Sequence, residues 1–207
     1  MTGDAGAPAP RVLTVGHSTH PIETFIALLQ SAGATDVLDV RRLPGSRRNP
    51  QFDAERLGPS LEAASIGYSR DERLGGRRGP SRDVAPETNG YWEHASFHRY
   101  ADYALGADFA AGISELIAGC SLSRRPAVMC SEAVWWRCHR RIIADHLLAR
   151  GVPVTHLMPG GRLDAASLTP GAVAAPDGTV TYPRRTAPAA PSSCRTSEPS
   201  ADLTFSG

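Results

Sequence analysis

The chain has 207 residues, of which 41% are hydrophobic, and a formal net charge of +1. This length favours one domain with an ordinary core, and no apolar run reaches the roughly 18 residues that a membrane span needs. The near-zero charge argues against a generic polyanion binder, although all 22 basic side chains are arginine. Because the first ten residues lack the basic and apolar parts of a signal peptide, we expect a cytoplasmic protein whose cysteines are free thiols or ligands.

The first half of the chain predicts alternating strands and helices. RVLTVG (11–16) is typical of a short buried strand, and a helix is expected over 21–33, with Pro21 in its first turn. A second strand is expected over 35–41. This order indicates a βαβ unit with parallel strands. A polar loop, a short helix and a small strand follow, over 42–52, 53–65 and 66–70.

The second half begins with a long loop, 71–92, which contains several glycines and prolines. Loops of this length are usually functional or disordered. Two helices, a strand, a longer helix and a last strand are then expected over 96–105, 108–119, 126–130, 133–150 and 152–157.

These elements predict an α/β fold: an open, mostly parallel sheet of about five strands with flanking helices, Rossmann-like, in a single domain over 11–164. Residues 1–10 are expected to be disordered. The segment 165–207 is rich in Ala, Pro, Ser and Thr and poor in large apolar residues, so we expect a disordered tail there.

Polar side chains follow several of the predicted strands. In open α/β sheets the ligand crevice lies at the carboxyl ends of the strands. We therefore expect residues that are distant in sequence to converge there, namely His17, Ser18, Asp39, Arg41, Cys130, Glu132 and His156. Between residues 41 and 82 the chain carries ten arginines and five acids, a local charge of 10 − 5 = +5.

The motifs TVGHST, LDVRRLPGSRRNPQF, LGG (74–76) and MCSEAVWWRCHRRIIADHL closely resemble the DUF488 family over about residues 12–157. The resemblance implies a small α/β fold but assigns no activity. A weaker likeness to rhodanese and cysteine-dependent phosphatase domains rests on VLDVR and on a cysteine that closes a strand, although six residues rather than five separate Cys130 from Arg137. The signature positions that the DUF488 resemblance implies are His17, Ser18, Asp39, Arg41, Cys130, Glu132, Cys138, His139 and Arg140.

The region around Cys130 allows two interpretations. A thiol between a strand end and a helix N-terminus, near arginines, is favoured as the thiolate and could be a nucleophile or ligand; equally, free cysteine is often a small buried hydrophobe. Glu132 is an acid–base candidate or a helix cap, Cys138 is expected to pack in the core, and His139 is an acid–base candidate or a donor to a carbonyl. Cys130, Cys138 and His139 could together bind a metal, but no CxxC knuckle supports this, and no metal or cofactor is predicted.

The preferred function is an enzyme that acts on a phosphate-bearing substrate, a nucleotide or a nucleic acid, without membrane association. The alternatives are a non-catalytic nucleic-acid-binding protein and rhodanese-like sulfur transfer through Cys130. The arginine-rich loops, with aromatic rings nearby, suit phosphates and bases. The candidate catalytic residues are His17, Asp39, Cys130, Glu132 and His139. The candidate phosphate-binding residues are Ser18, Arg41, Arg47, Arg48, Arg77, Arg78 and Arg140.

Overall fold

A six-stranded sheet forms the centre of the computed structural model, which describes residues 11–45 and 47–184. The first five strands are parallel and the sixth pairs antiparallel with the fifth, in the spatial order β3-β2-β4-β1-β5-β6. No helix in the described part of the chain is long and apolar enough to cross a bilayer. The strands are β1 (Val12–Gly16), β2 (Asp36–Asp39), β3 (Gly67–Arg70), β4 (Pro126–Cys130), β5 (Val154–Leu157) and β6 (Leu163–Ala165).

Helices cover both faces of the sheet. One face packs against α1 (Ile22–Ser31) and α2 (Ala54–Glu62), and the other against α3 (Ala95–Tyr103), α4 (Ala107–Ala118) and α5 (Arg140–Ala149). A two-stranded ribbon, β7 (Val173–Ala174) with β8 (Val180–Thr181), lies on the second face. Single 3-10 turns span Pro50–Phe52, Glu72–Leu74, Trp135–Arg137 and Pro159–Gly161.

The central strands are apolar along their whole length because both of their faces are covered. Every residue of β1 and of β4 is buried, as expected for parallel strands between two helical layers. In α1 the residues Phe25, Leu28 and Leu29 recur at helical spacing and are buried against the sheet. The sequence pattern therefore sets both the strand positions and the side of each helix that faces them.

The strand order creates a crevice between β1 and β4. These two strands are neighbours, with Gly16 opposite Cys130 at their carboxyl ends. The helix that follows β1 lies on one face of the sheet, and α5, which follows β4, lies on the other. The two chain segments therefore diverge, and this is the place where open α/β sheets bind ligands.

The predicted α/β class with a mostly parallel sheet in a single domain is confirmed, with one strand more than the five expected. In the dinucleotide-binding fold the first strand lies beside the second, whereas here β4 lies between them. The narrower expectation of a Rossmann-like sheet is therefore not supported by the strand order.

The predicted helix over 133–150 starts too early. The α-helix begins at Arg140, and only the 3-10 turn Trp135–Arg137 precedes it. Cys138 adopts an extended conformation, with φ −129° and ψ 146°, which interrupts any continuous helix. Residues 131–139 therefore form a loop that folds back over the ends of β1 and β4.

The expectation of a disordered tail from residue 165 is wrong for residues 165–184. Val180 and Tyr182 are fully buried against the second face of the sheet. The Tyr182 hydroxyl donates to Asp145 at 2.8 Å, and the Thr169 amide donates to the same carboxylate at 2.9 Å. Composition misled the prediction because a few large side chains and one buried acceptor suffice to attach the segment. Residues 1–10 and 185–207, expected to be disordered, lie outside the described residues.

Two further histidines, His146 and His156, are also buried. His146 is 1% exposed and packs its ring 4.8 Å from that of Phe109; burial, followed by the nearby Arg150, lowers its pKa to about 3. Burial likewise lowers the pKa of His156 to about 4, while Thr14 hydrogen-bonds to its Nδ1 at 2.7 Å. Both rings are therefore neutral in the folded protein at neutral pH.

Truncation tests the attachment of residues 165–184. Removing 165–207 should lower the melting temperature by roughly 10 °C or more, because loss of a buried large aromatic side chain such as Tyr182 costs about 3–5 kcal/mol. Removing only 185–207 is the matched control, since it retains Val180, Tyr182 and their contacts, and should lower the melting temperature much less. Equal melting temperatures for the two truncations, measured by circular dichroism, would contradict the packing described above.

The buried histidines predict acid sensitivity. Because the folded pKa of His146 lies below its unfolded value of about 6.5, its neutral form contributes stability that is complete above that pH and is lost as the pH falls towards the folded pKa. The unfolding free energy should therefore decrease by about 1.4 kcal/mol per pH unit for this residue below about pH 6. His146→Gln should make the decrease correspondingly shallower in urea titrations at several pH values. Parallel profiles for the variant and the wild type would refute the assignment.

Candidate active site

A cleft of about 910 Å³ opens at the carboxyl ends of β1 and β4. The loop 131–139 forms one wall, and segments after β1, β2 and the turn at 72–74 form the others. The convergence expected from the strand-end rule occurs for most of the candidate residues. Those that line the cleft are His17, Ser18, Arg41, Arg77, Cys130, Glu132, Cys138 and His139.

Other candidates lie elsewhere. Asp39 and Arg140 are buried and do not line the cleft, while Arg47 and Arg48 are exposed residues outside its lining. The Arg78 guanidinium stacks on the Tyr103 ring at 3.7 Å and donates to the carbonyls of Glu72, Arg73 and Gly75. These contacts show that Arg78 stabilises the 72–75 turn, and its side chain does not line the cleft. The phosphate contact suggested by the sequence stays a prediction. His156, expected near the crevice, is also absent from the lining.

A buried ion pair holds the β2 side of the cleft. Asp39, with no exposed surface, accepts bonds from Nε and Nη2 of Arg41 at 2.9 and 2.6 Å. It also accepts the Arg41 amide and the Tyr68 hydroxyl, each at 2.9 Å. Arg41 donates further to the Phe52 carbonyl at 2.7 Å. With its lone pairs occupied in this way, Asp39 orients Arg41 towards the cleft and is poorly placed for proton transfer.

His17 is held as a neutral ring at the end of β1. Its Nδ1 donates to the Ser18 carbonyl at 2.9 Å, and its Nε2 accepts from Arg41 Nη1 at 3.1 Å. The ring stacks on Phe52 with centroids 4.1 Å apart. Burial and then the charge of Arg41 lower its pKa to about 4. Both ring nitrogens therefore form hydrogen bonds. His17 forms part of the wall of the cleft and holds the Arg41 guanidinium in position.

Two sulfurs and an imidazole meet on the floor of the cleft. Cys130 ends β4, and Cys138 and His139 immediately precede α5. The His139 Nδ1 lies 3.9 Å from the Cys130 sulfur and 3.7 Å from the Cys138 sulfur. Tyr100 packs against the imidazole with ring centroids 4.9 Å apart, and a side chain at Gly76 would come within 2.9 Å of its Nδ1. The surroundings therefore fix the ring in this position.

Arg140 lies directly beneath this cluster. It is 1% exposed, and no described carboxylate forms an ion pair with it. Its Nε donates to the Cys138 sulfur at 3.3 Å, and its Nη2 donates to the Glu132 carbonyl at 2.5 Å. A buried guanidinium is costly unless an anion compensates it. The sulfur of Cys138 is the group that can provide this negative charge.

The two thiols are consequently inequivalent. Although burial alone raises the pKa of Cys138, the nearby Cys130 thiol and the charge of Arg140 outweigh it, so the pKa is lowered. The proximity of Cys138, together with burial, raises the pKa of Cys130. The contact with Arg140 therefore favours negative charge on Cys138, whereas the sequence suggested Cys130 as the readily ionised thiol. Which of the two thiols reacts stays a prediction.

Glu132 does not cap the helix, because α5 starts eight residues later. Its side chain is exposed and lines the cleft. Its backbone carbonyl oxygen packs so closely against Gly16 that a β-carbon at position 16 would lie only 1.8 Å from it. A glycine at the end of β1 is therefore required for the loop 131–139 to pass over this strand. The free position of the carboxylate keeps the acid–base interpretation open.

Several lining residues were not singled out from the sequence. Arg42 and Arg137 add two cations to the rim, and the Trp136 ring is 45% exposed beside them. Arg137 and Trp136 lie within the CSEAVWWRCHR motif itself, so the motif was the available signal. Arg42 donates to the Arg77 carbonyl at 2.8 Å and so links two rim segments. His94, Ser96, Phe97 and Asn49 also line the cleft.

The same floor is the place where a metal could bind. The ligand atoms of Cys130, Cys138 and His139 all lie within 4.8 Å of one another, and this is the one group of that kind among the described residues. Sulfur and imidazole nitrogen are the ligands that zinc prefers. Cys120, in contrast, is half-buried and its thiol donates to the Leu116 carbonyl at 3.2 Å.

Together these features define an α/β protein with a thiol–imidazole cluster in a cleft at the strand ends. The chain belongs to the DUF488 family, described as a domain of unknown function, whose family model matches residues 21–147. This confirms the family predicted from the motifs. Comparisons with curated proteins and with solved structures gave no match.

The inequivalence of the thiols can be measured by alkylation. In chelator-treated protein, the iodoacetamide reaction of Cys138 should follow a midpoint below the ordinary thiol pKa of about 8.5, and that of Cys130 a midpoint above it. Each pH profile is measured by peptide mass spectrometry. Its midpoint reports the ionisation of the thiol, whereas limited access to a buried thiol lowers the rate at every pH and leaves the midpoint unchanged. Cys120 is the internal control, since burial raises its pKa. A lower midpoint for Cys130 than for Cys138 would reverse the assignment.

Proposed function

We propose that the protein is an enzyme that acts on a phosphate-bearing substrate, a nucleotide or a nucleic-acid strand, bound in the cleft. The reaction centre is the cluster of Cys130, Cys138 and His139. One observation carries the proposal: a cationic rim and a sulfur–imidazole floor belong to the same cleft. A cleft that combines convergent polar groups with perturbed ionisable residues is the default candidate for an active site.

The charge of the rim supports an anionic ligand. Four arginines line the cleft, namely Arg41, Arg42, Arg77 and Arg137, and Glu132 is the one carboxylate among the described lining residues. Arg77 and Arg137 are exposed, so their guanidinium groups are free to approach phosphate oxygens. The net charge of these five side chains is 4 − 1 = +3, and it is 3 − 1 = +2 once the buried Asp39 that pairs with Arg41 is included.

The aromatic side chains of the cleft favour a substrate that carries a ring. Trp136 is largely exposed and Phe97 is half-buried, and both line the cleft beside the arginines. Stacking of a base on an aromatic ring contributes about 1–3 kcal/mol. Phosphate-binding cations next to stacking surfaces are the combination that nucleotides and single strands require.

Binding is tested with two probes, a fluorescent mixed-sequence single-stranded oligonucleotide and a labelled nucleoside monophosphate. Replacing both Arg77 and Arg137 by Gln should weaken binding and reduce the slope of log K against log salt for the oligonucleotide by about 1.4, from about 0.7 per lost contact. The matched control replaces Arg11 and Arg56, two exposed arginines outside the cleft lining. Equal losses for the two double variants would rule out the rim as the phosphate site.

Catalysis is tested by the mass of the same probes after incubation with the full chain. A mass change that requires Glu132 and Cys138 would support the enzyme, and Glu132→Gln should slow an acid–base step by roughly 100-fold or more. Cys120→Ser is the control and should leave the rate unaltered. Tight rim-dependent binding with every probe recovered intact would instead favour the non-catalytic nucleic-acid-binding protein. Sulfur transfer through Cys130 stays a prediction.

A further inference from the structure

We propose that Cys130, Cys138 and His139 form a three-ligand site for a zinc ion whose fourth position faces the cleft. The site itself is argued from ligand geometry. Only the idea that the metal takes part in the reaction depends on the proposed function.

The spacing of the three ligand atoms agrees with a tetrahedral ion. Zinc lies about 2.3 Å from thiolate sulfur and about 2.0–2.1 Å from imidazole nitrogen, so tetrahedral angles place sulfur about 3.6 Å from nitrogen and about 3.8 Å from a second sulfur. The two sulfur–nitrogen distances are 3.9 Å for Cys130 and 3.7 Å for Cys138. All three atoms fall within 4.8 Å of one another. The two sulfur–nitrogen distances therefore differ from coordination by a few tenths of an ångström, and the two sulfurs would have to approach each other by at most 4.8 − 3.8, about 1 Å.

Rigid elements hold the ligands. Cys130 is the last residue of the central strand β4, and its carbonyl accepts the His17 amide at 3.0 Å. Cys138 is anchored by the bond from Arg140, and the His139 ring lies between Tyr100 and Gly76. A preformed set of ligands loses little freedom when it binds an ion, which favours affinity.

The type and number of ligands indicate which metal binds and in which manner. Two thiolates and an imidazole select zinc over hard cations such as magnesium and calcium, which prefer oxygen. Structural zinc sites are closed by four protein ligands, whereas catalytic ones have three and an open position. No fourth His, Cys, Asp or Glu joins this group among the described residues. All three ligands line the cleft, so the open position is accessible to a ligand there.

The surrounding charge favours an anion at that open position. A dication and two thiolates sum to zero, and the adjacent Arg140 then leaves the buried centre with one net positive charge. Its Nε–H donates to the Cys138 sulfur, the type of outer contact that orients a metal ligand. A hydroxide or a phosphate oxygen of the substrate would complement this charge. Bound at the floor below the arginine rim, zinc would supply a Lewis acid next to the substrate.

The test uses the full chain, freed of metal by chelation and titrated with cobalt as a spectroscopic substitute for zinc. About one equivalent of cobalt should bind and produce the visible bands of a tetrahedral ion and a near-ultraviolet thiolate charge-transfer band. Cys130→Ser, Cys138→Ser and His139→Gln should each weaken binding by roughly 100-fold or more, since loss of outer contacts alone costs about 10–100-fold. Cys120→Ser is the matched control and should bind as the wild type does.

A measurement on the wild-type chain avoids variants that fail to fold. One equivalent of zinc should protect both Cys130 and Cys138 from alkylation while Cys120 remains as reactive as before. Absence of the cobalt spectrum together with unprotected thiols would overturn the inference. If zinc does not bind but the oligonucleotide binds through Arg77 and Arg137, the metal site alone fails. If zinc binds but the rim variants bind both probes as the control does, the proposed function alone fails.

Discussion

The architecture of the cleft depends on one buried cation. Among the described residues, Arg140 has the largest side chain that is almost completely excluded from solvent, and its polar partners there are one backbone carbonyl and one sulfur. That carbonyl belongs to Glu132, which can come so close only because Gly16 has no side chain. The guanidinium therefore ties the loop after β4 to the end of β1. It also stabilises negative charge on Cys138, so one interaction determines both the shape of the floor and its chemistry.

A second buried arginine supports the opposite wall in a different way. Arg41 has a full carboxylate partner in Asp39 and uses its remaining donors on Phe52 and His17. The charges of this pair balance each other without any thiol. Burial, followed by the charge of Arg41, lowers the pKa of His17 and keeps its ring neutral. In the wall formed by β1 and β2, every charge therefore has a partner of opposite charge. In the wall formed by β4 and α5, the buried cation Arg140 has a cysteine sulfur as its side-chain partner.

The sequence predicted the elements better than their junctions. Apolar runs and helical spacing located β1, β4 and α1, because burial on both faces of a sheet leaves a local signature. The start of α5 was missed because tertiary contacts, among them the bond with Arg140, hold Cys138 in an extended conformation.

Tertiary contacts that local sequence does not show also separate the roles of neighbouring arginines. Arg77 and Arg78 are neighbours of identical type, yet only Arg78 stacks on Tyr103, 103 − 78 = 25 residues further along the chain, and is absent from the cleft lining. Likewise, Tyr182 attaches the segment 165–184 through Asp145, a contact that composition does not encode.

The convergence of candidates was predictable, but their division of roles was not. The strand-end rule gathered His17, Asp39 and Cys130 from three strands, and all three lie at the crevice or directly behind it. Which of them can exchange protons or bind a ligand depends on the lone pairs and N–H groups that their neighbours leave unused. Every ring nitrogen of His17 and both carboxylate oxygens of Asp39 form hydrogen bonds, so these two side chains hold their neighbours in place.

Other polar groups of the cleft have lone pairs or N–H groups that no neighbour uses. They are the sulfurs of Cys130 and Cys138, the exposed Glu132 carboxylate and His139, whose Nε2 has no partner in the described structure. All of these groups belong to the segment from the end of β4 to the start of α5, so the thiol, carboxylate and imidazole groups that their neighbours leave unengaged are concentrated on one wall of the cleft.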